Sequence, residues 1–305
     1  MHSTPATATA PRVPHPRRTG SPKLLKRLLL ACAPVLLVAL AACGGASAGA
    51  SSSPTAQPVK LTVFAAASLK GAFTDIGKAY SQQHPNVTVT FNFAGSDALA
   101  TQINQGAPAD VFASANGTQM NVVVSAGTID GSGVKTFAHN RLVLIYPTAN
   151  PAKIQSLQDI AKPGIKVDLA AKTVPVGQYA LTFLDAASAD PSFGASYKTN
   201  VLKNVVSYET DVKSVLSKVA LGEADAGIVY TTDAATETGK VGTVAIPDTL
   251  NTIALYPIGV VKSSKQSATA ADFVSYVVST AGQATLAKYG FIAGDVGKQY
   301  SPPGA

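Results

Sequence analysis

Residues 59–69, which read VKLTVFAAASL, give the first clear indication of the fold of this chain. Leu61 and Val63 alternate with polar neighbours, and this period of two predicts a β-strand. Three alanines follow, and from Leu69 onward apolar residues recur at helical spacing, so a helix is expected to start at Ser68. Because a helix start leaves backbone N–H groups unpaired and a serine adds a hydroxyl, Ser68 is a candidate anion-binding residue. The alternative is that Ser68 only caps its helix.

Strand and helix patterns alternate along the rest of the chain, which is typical of α/β folds. Helices are predicted after most strands, among them one around Thr118–Ala126 and a final one at Ala270–Ala281. The predicted strands after the first are Asn86–Phe93, Asp110–Ala113, Leu142–Tyr146, Lys166–Ala170, Val201–Ser207, Ala226–Tyr230 and Ile253–Val261.

Residues 1–42 have the features of an export signal, with six Lys and Arg residues and then an apolar run at Leu28–Ala42. This run is too short to favour a membrane-spanning helix. It leads into LAACG at 40–44, which resembles a bacterial lipobox, so Cys43 is the expected site of lipid attachment. Residues 43–58 are rich in Ser, Gly and Ala and predict a flexible tether. The alternatives are an ordinary secretory signal cleaved nearby and a retained transmembrane anchor.

The excess positive charge of the chain lies mostly in this leader. The full sequence has 24 Lys and Arg against 17 Asp and Glu, a net charge of +7. Six of those cations and none of the anions precede Cys43, so residues 43–305 carry 18 cations and 17 anions, a net charge of +1. This balance gives no reason to expect nucleic-acid binding. The only other cysteine, Cys32, lies in the leader, which excludes disulfides and thiolate chemistry from the expected folded part.

The pattern at Ser68 recurs at three more predicted helix starts. Ligands of α/β sheets collect where strands end and helices begin, so the four starts could surround one anion. None of the four positions is Lys or Arg, so the anion would be held by neutral dipoles and hydrogen bonds. The three further positions are Ser96, which follows a strand and a glycine, Val176, one step after Pro175, and Val212, which follows Thr210 as the expected N-cap.

Two carboxylates, Asp97 and Asp211, fall in the first turns of these helices. A negative charge there opposes the helix dipole favourably. We expect both to be solvated, because carboxylates turned inward would repel an anion.

Several segments, in order along the chain, resemble the molybdate-binding protein of the bacterial molybdenum ABC transporter. The resemblance runs from Lys60 almost to the end of the chain, and the first and third segments are its most specific parts. The segments are TVFAAASL (62–69), FAGSDALATQI (93–103), GAPADVFASA (106–115), VPVGQYA (174–180), ETDV (209–212), GIVYTTDA (227–234), YPIGVV (256–261) and KYGF (288–291).

The resemblance implies a two-lobe periplasmic-binding-protein-like fold of type II, with a mixed sheet flanked by helices in each lobe and the ligand in the cleft between them. The chain would leave the first lobe near Asn140–Leu142 and return near Ile253–Tyr256. The implied boundaries are 59–141 with 254–300 for lobe I, 142–253 for lobe II and 301–305 for a tail.

The resemblance also implies the ligand and its contacts. Molybdate or tungstate would be bound as an oxyanion, with no direct ligands to the metal, and delivered to the permease of an ABC importer. Contacts from both lobes would favour a closed form. The implied oxyanion-binding residues are Ser68 and Ser96 (hydroxyl and N–H), Val176 and Val212 (N–H) and Tyr230 (phenolic hydroxyl). Without the resemblance, Tyr230 would be interpreted as packing at a strand end. The expected protein is a monomeric, non-catalytic lipoprotein without a cofactor on the outer face of the cell membrane.

Other functions are weighed against this one. An exported enzyme would have His84 and His139 available, but neither lies beside a helix-start serine in sequence, and the sequence contains no H-E-x-x-H pair and no glycine-rich phosphate loop. Sulfate and phosphate are also tetrahedral, but a phosphate site often uses an arginine, and the only one after residue 42 is Arg141, at the expected crossover. An iron site could draw on Tyr179, Tyr208 and Tyr230 but has no acidic partner set. A purely structural lipoprotein would not explain four helix starts suited to an anion.

Overall fold

The computed structural model describes residues 57–295 and 300–301, and the leader, Cys43 and nearly all of the tether lie outside these described residues. Within them the strands are β1 (Val59–Ala66), β2 (Val87–Ala94), β3 (Val111–Ala113), β4 (Lys135–Asn140), β5 (Leu142–Pro147), β6 (Val167–Ala170), β7 (Val205–Glu209), β8 (Ala226–Tyr230), β9 (Val241–Ala245), β10 (Ala254–Val260) and β11 (Ile292–Ala293).

Helices connect and flank these strands. They are α1 (Lys70–Gln83), α2 (Ser96–Asn104), α3 (Gly117–Ser125), α4 (Pro175–Ala189), α5 (Tyr197–Lys203), α6 (Val212–Ala220), α7 (Thr231–Ala234), α8 (Ser267–Val278) and α9 (Thr280–Lys288). In the described part of the chain no helix combines the length and apolar character needed to cross a membrane.

The strands form two separate mixed sheets. The first has six strands in the order β11-β4-β10-β3-β1-β2, and β1 runs parallel to both β2 and β3. The second has five strands in the order β7-β6-β8-β5-β9, and β6 runs parallel to both β7 and β8. The predicted α/β fold class, with two mixed sheets flanked by helices, is confirmed.

The chain passes between the sheets twice. It leaves the first sheet through Arg141, between β4 and β5, and returns through residues 246–253, between β9 and β10. The two passages are bonded side by side, since Asn251 Oδ1 accepts from Leu142 N–H at 3.0 Å and the Arg141 guanidinium pairs with Asp248.

Helix packing follows the periodicity of the sequence. Helix α1 buries Ala72, Phe73, Ile76 and Tyr80 against the first sheet, and the Phe73 ring lies 5.5 Å from that of Phe137, centroid to centroid. Helix α6 buries four apolar residues on one face, the same four that helical spacing indicates. Burying each side chain of this size contributes about 1.5–3 kcal/mol, so these faces fix both helices against their sheets.

The sequence interpretation was wrong for one strand and missed three others. Val201–Ser207 was predicted as a strand, but Val201 belongs to α5, where it is buried one turn after Tyr197, and the strand starts at Val205. Short apolar runs do not distinguish these two states. Strands β4, β9 and the two-residue β11 were not predicted. In β4 three successive residues, 136–138, are buried, so the strand lacks the alternation that would reveal it.

Candidate functional site

One cavity lies beyond the carboxyl ends of the parallel strands of both sheets. Its walls are the segments that follow β1, β2 and β3 on one side and β6, β7 and β8 on the other, and its empty space, open solvent included, is about 210 Å³. Parallel strands end at a common edge, so this placement follows from the topology. All five residues expected to bind an oxyanion line this cavity: Ser68, Ser96, Val176, Val212 and Tyr230.

The first wall carries the two serines. Ser68 lies in a single 3-10 turn, Ala67–Leu69, that joins β1 to α1, and it is buried. The expectation that Ser68 heads and could cap the helix is wrong: α1 starts at Lys70 after Leu69, and no side chain caps it. The Ser68 hydroxyl instead lies 3.0 Å from the hydroxyl of Tyr256. Its position is therefore set by a residue of the distant strand β10.

Ser96 is the first residue of α2, and Gly95 occupies the N-cap position that was expected for the serine. Ser96 Oγ accepts a hydrogen bond from Ala115 N–H at 3.0 Å. Ala115 follows β3, so this bond ties together the segments after two neighbouring strands. Because the Ser96 oxygen is the acceptor in this bond, the hydroxyl hydrogen of Ser96 remains available to donate.

The second wall carries two backbone donors at helix starts. Val176 is the second residue of α4, after Pro175, and Val212 is the first residue of α6. The first N–H groups of a helix have no partner within it, so both can donate to a ligand. Thr210 was expected to cap α6, but the cap is Asp211, whose carboxylate accepts from the N–H groups of the second and third helical residues at 2.7 and 3.1 Å. The cap thus leaves the N–H of Val212 free.

Tyr230, the last residue of β8, has a buried hydroxyl that lacks a hydrogen-bond partner in the described part of the chain. Its side chain is 1% exposed, and its hydroxyl has no hydrogen-bond partner among the described residues. Burial raises the pKa of this phenol well above its usual 10, so it stays protonated and can donate. A buried hydroxyl without a partner costs about 1–3 kcal/mol, and an acceptor in the cavity would remove that cost.

The cavity has no cationic side chain among the described residues that line it. Lys213, which follows the lining residue Val212, pairs at 2.8 Å with the fully buried carboxylate of Asp233. The N-termini of α2, α4 and α6 and three hydroxyls therefore supply the positive potential. Asp211 lines the cavity, but its carboxylate is engaged with its own helix.

The expectation of two solvated carboxylates was wrong for Asp97. One of its oxygens, Oδ1, is buried without a hydrogen-bond partner among the described residues. Asp97 lies in the first turn of α2 but does not line the cavity, so it is not placed to repel an anion at short range.

The two walls touch each other at their rims. A Cβ added to Gly95 would lie 2.4 Å from the carbonyl oxygen of Thr210, so only glycine allows this approach. Hydrogen bonds join the same rims, from Asn116 Nδ2 to Gln178 Oε1 at 2.8 Å and from Gln119 Nε2 to a carbonyl before α4 at 3.1 Å. The structure therefore has its cleft closed around the cavity.

Two histidines and Tyr208, which were considered for other functions, lie away from the cavity. His84 and His139 pair with Asp272 and Asp295, and neither histidine lines the cavity. Tyr208 is 54% exposed on the edge strand β7, away from Tyr230. In the described residues no group of three His, Cys, Asp or Glu side chains could hold a metal ion.

Comparison with known proteins places the chain in a family. Residues 61–292 match the family model of the bacterial extracellular solute-binding proteins. The chain belongs to this family. As a member of an extracellular family, this solute-binding protein is exported.

Three of the similar proteins show how far the similarity extends. The molybdate-binding protein ModA of Mycobacterium tuberculosis (strain ATCC 25618 / H37Rv) is 41% identical over 258 residues, which cover 84% of this solute-binding protein and 94% of ModA. The putative ABC transporter substrate-binding lipoprotein YvgL of Bacillus subtilis (strain 168) is 34% identical over 260 residues, with 84% and 95% covered. Among solved structures, the substrate binding domain of a putative molybdenum ABC transporter from Clostridium difficile matches with a TM-score of 0.57 and 31% identity, over 77% and 99% of the chains.

Sequence reasoning missed the residues behind the cavity. Tyr256, Asn140 and Ala115 hold the two serines or the strands that carry them, yet each was interpreted only as part of a strand, a crossover or a matching segment. A buried tyrosine needs a hydrogen-bond partner, and this was the one available signal for Tyr256. The identity of that partner depends on tertiary contacts that no local pattern shows.

Proposed function

We propose that the protein captures molybdate, and equally tungstate, outside the cytoplasmic membrane and delivers it to the permease of an ABC importer. The observation that carries this proposal is the convergence of five uncharged donor residues on one cavity, with the buried hydroxyl of Tyr230 left without a hydrogen-bond partner among the described residues. The similarity to ModA and to the C. difficile domain supports the choice of ligand.

The donor set suits a fully ionised tetrahedral oxyanion. Ser68 and Ser96 would donate through both hydroxyl and backbone N–H, Tyr230 through its phenolic hydroxyl, and Val176 and Val212 through their backbone N–H groups. Hydrogen bonds to a charged group contribute about 1.5–3 kcal/mol each, so five can hold a desolvated dianion without an ion pair. A site of this kind selects by size and shape and does not distinguish two dianions of equal size. The metal atom itself needs no protein ligand, and the protein needs no cofactor.

The two sheets are the structural basis of two proposed lobes. Lobe I would comprise residues 59–141 and 254–300, lobe II residues 142–253, and residues 301–305 a tail. The ligand would contact both lobes, so it would stabilise the closed arrangement, and a permease that recognises this arrangement would receive loaded protein.

The remaining properties follow from the leader and the family. We propose that residues 1–42 are removed, that Cys43 becomes lipidated and that residues 43–58 tether a monomer to the outer face of the membrane. The word lipoprotein in the name of YvgL supports the lipid anchor. The protein would bind its ligand without making or breaking bonds and would not bind nucleic acid.

A thermal-shift series with molybdate, tungstate, sulfate and phosphate at matched ionic strength tests the proposal. A ligand at 100 times its dissociation constant stabilises a fold by about 2.7 kcal/mol, which corresponds to a shift of roughly 5–10 °C for a chain of this size. We expect shifts with molybdate and tungstate only. A shift with sulfate or phosphate alone would mean that this anion, and not molybdate, is the ligand. The absence of a shift with any of the four would reject the oxyanion site.

A further inference from the structure

A buried tyrosine stands directly behind the first wall of the cavity. Tyr256 lies on β10, is fully buried and does not line the cavity, but its hydroxyl is 3.0 Å from Ser68 Oγ. The rings of Phe137, Tyr230 and Phe291 pack edge-on around it with centroids 5.5–6.2 Å away. The phenol is thus held rigidly against the hydroxyl of the serine.

Asn140 fixes the direction of the hydrogen bonds behind Ser68. Its Oδ1 accepts from the backbone N–H of Arg141 at 2.9 Å, which identifies the other amide atom as Nδ2. Nδ2 donates to Thr232 Oγ1 at 2.8 Å and, at 3.4 Å, to the hydroxyl of Tyr256. An amide nitrogen can only donate, so the Tyr256 oxygen is the acceptor in this contact.

The proton of Tyr256 is then free for Ser68. With its oxygen accepting from Asn140, the phenol has its single hydrogen available for Ser68 Oγ, and donating it there would leave the serine's own hydrogen free for the cavity. We infer that Tyr256 is a positioning residue for anion binding, which orients the Ser68 hydroxyl as a donor without touching the ligand. This inference rests on the proposed function.

The same chain of hydrogen bonds reaches the second wall. Asn140 ends β4 just before the chain leaves the first sheet, and Tyr256 lies on the strand by which it returns. Thr231 and Thr232, which bond to Asn140 Oδ1 and Nδ2, directly follow Tyr230. The orientation of Ser68 therefore depends on the arrangement of the two passages between the sheets, and the donor is aligned when the cleft is closed.

A double-mutant cycle on the full chain tests this role. Titration calorimetry with molybdate would be run on the wild type, Tyr256→Phe, Ser68→Ala and the double variant. Loss of one oriented hydrogen bond predicts that Tyr256→Phe raises the Kd about two- to tenfold. In the Ser68→Ala background the same change should leave the Kd the same within about a factor of two, because the group through which Tyr256 acts is gone.

Tyr80→Phe is the matched control. Tyr80 is buried in the same half of the molecule, but its hydroxyl donates to Asp272 at 2.8 Å, away from the cavity. Its loss should leave the Kd unchanged. An unchanged Kd in Tyr256→Phe, or an equal increase in both backgrounds, would overturn the positioning role. Absence of molybdate binding by the wild type would instead reject the proposed function.

Discussion

The hydroxyl of Tyr230 gives the sharpest test of the site because its removal should have opposite effects with and without ligand. In Tyr230→Phe the change deletes one oxygen that is buried and has no hydrogen-bond partner among the described residues. A hydrogen bond to a charged ligand contributes about 1.5–3 kcal/mol, so we expect the Kd for molybdate to rise about 10- to 150-fold. Without ligand the variant should be as stable as the wild type or more stable, because no hydrogen bond within the protein is lost.

Tyr197→Phe is the control for this experiment. Tyr197 is also buried, but its hydroxyl donates to the carbonyl of Leu157 at 2.6 Å. Removing it should lower the stability by about 1 kcal/mol, or about 2–4 °C in Tm, and leave the Kd unchanged. The assays are differential scanning calorimetry of the ligand-free proteins and titration calorimetry with molybdate. The reasoning is refuted if Tyr230→Phe binds like the wild type, or if its ligand-free Tm falls as in the control.

Three further predictions concern other parts of the structure. Ser68→Ala and Ser96→Ala should each raise the Kd by about 10-fold or more in titration calorimetry, since each loses a hydrogen bond to a charged group that contributes about 1.5–3 kcal/mol. Wild-type affinity in both variants would show that these serines do not bind the ligand. Gly95→Ala should weaken binding and shift small-angle scattering toward a more open shape, because the added Cβ would lie 2.4 Å from the carbonyl oxygen of Thr210; an unaltered Kd and profile would contradict the close contact of the rims. Burial raises the pKa of Asp168 to about 7 from its usual 3.8, so the folded state binds the proton more tightly and the stability that this group contributes is lost as pH rises from about 4 through 7. Asp168→Asn should therefore lose less Tm than the wild type between pH 5 and pH 8, and equal losses would show that the carboxyl ionises without penalty.

Most of the elements, and the five residues that line the cavity as proposed ligand contacts, could be predicted from the sequence, and the hydrogen-bond partners could not. Periodicity gives β1, α1 and the buried face of α6 because each depends on residues close together in the chain. The cap of α6 was placed one residue early, since Thr210 and Asp211 are both good caps and only the backbone conformation distinguishes them. The prediction of Tyr230 as a binding residue came from the family resemblance alone, because the sequence around a tyrosine at a strand end is the same whether its side chain packs in the core or binds a ligand.

Contacts across the fold are the part that local patterns cannot supply. Ser68 was interpreted as the head of its helix, but its hydroxyl partner is Tyr256, 188 residues further along the chain. Strand β4 was missed for a similar reason: its buried run of residues is explained by its neighbours β10 and β11, which come more than a hundred residues later.

The most direct test of the central claim is a crystal structure of the protein with molybdate, with the metal located by its anomalous scattering. We expect one molybdenum atom per chain, in the cavity between the two sheets, with its oxygens within hydrogen-bond distance of Ser68, Ser96, Val176, Val212 and Tyr230. A metal atom bound elsewhere, or an oxyanion held by lysine or arginine side chains, would contradict a site built from neutral donors.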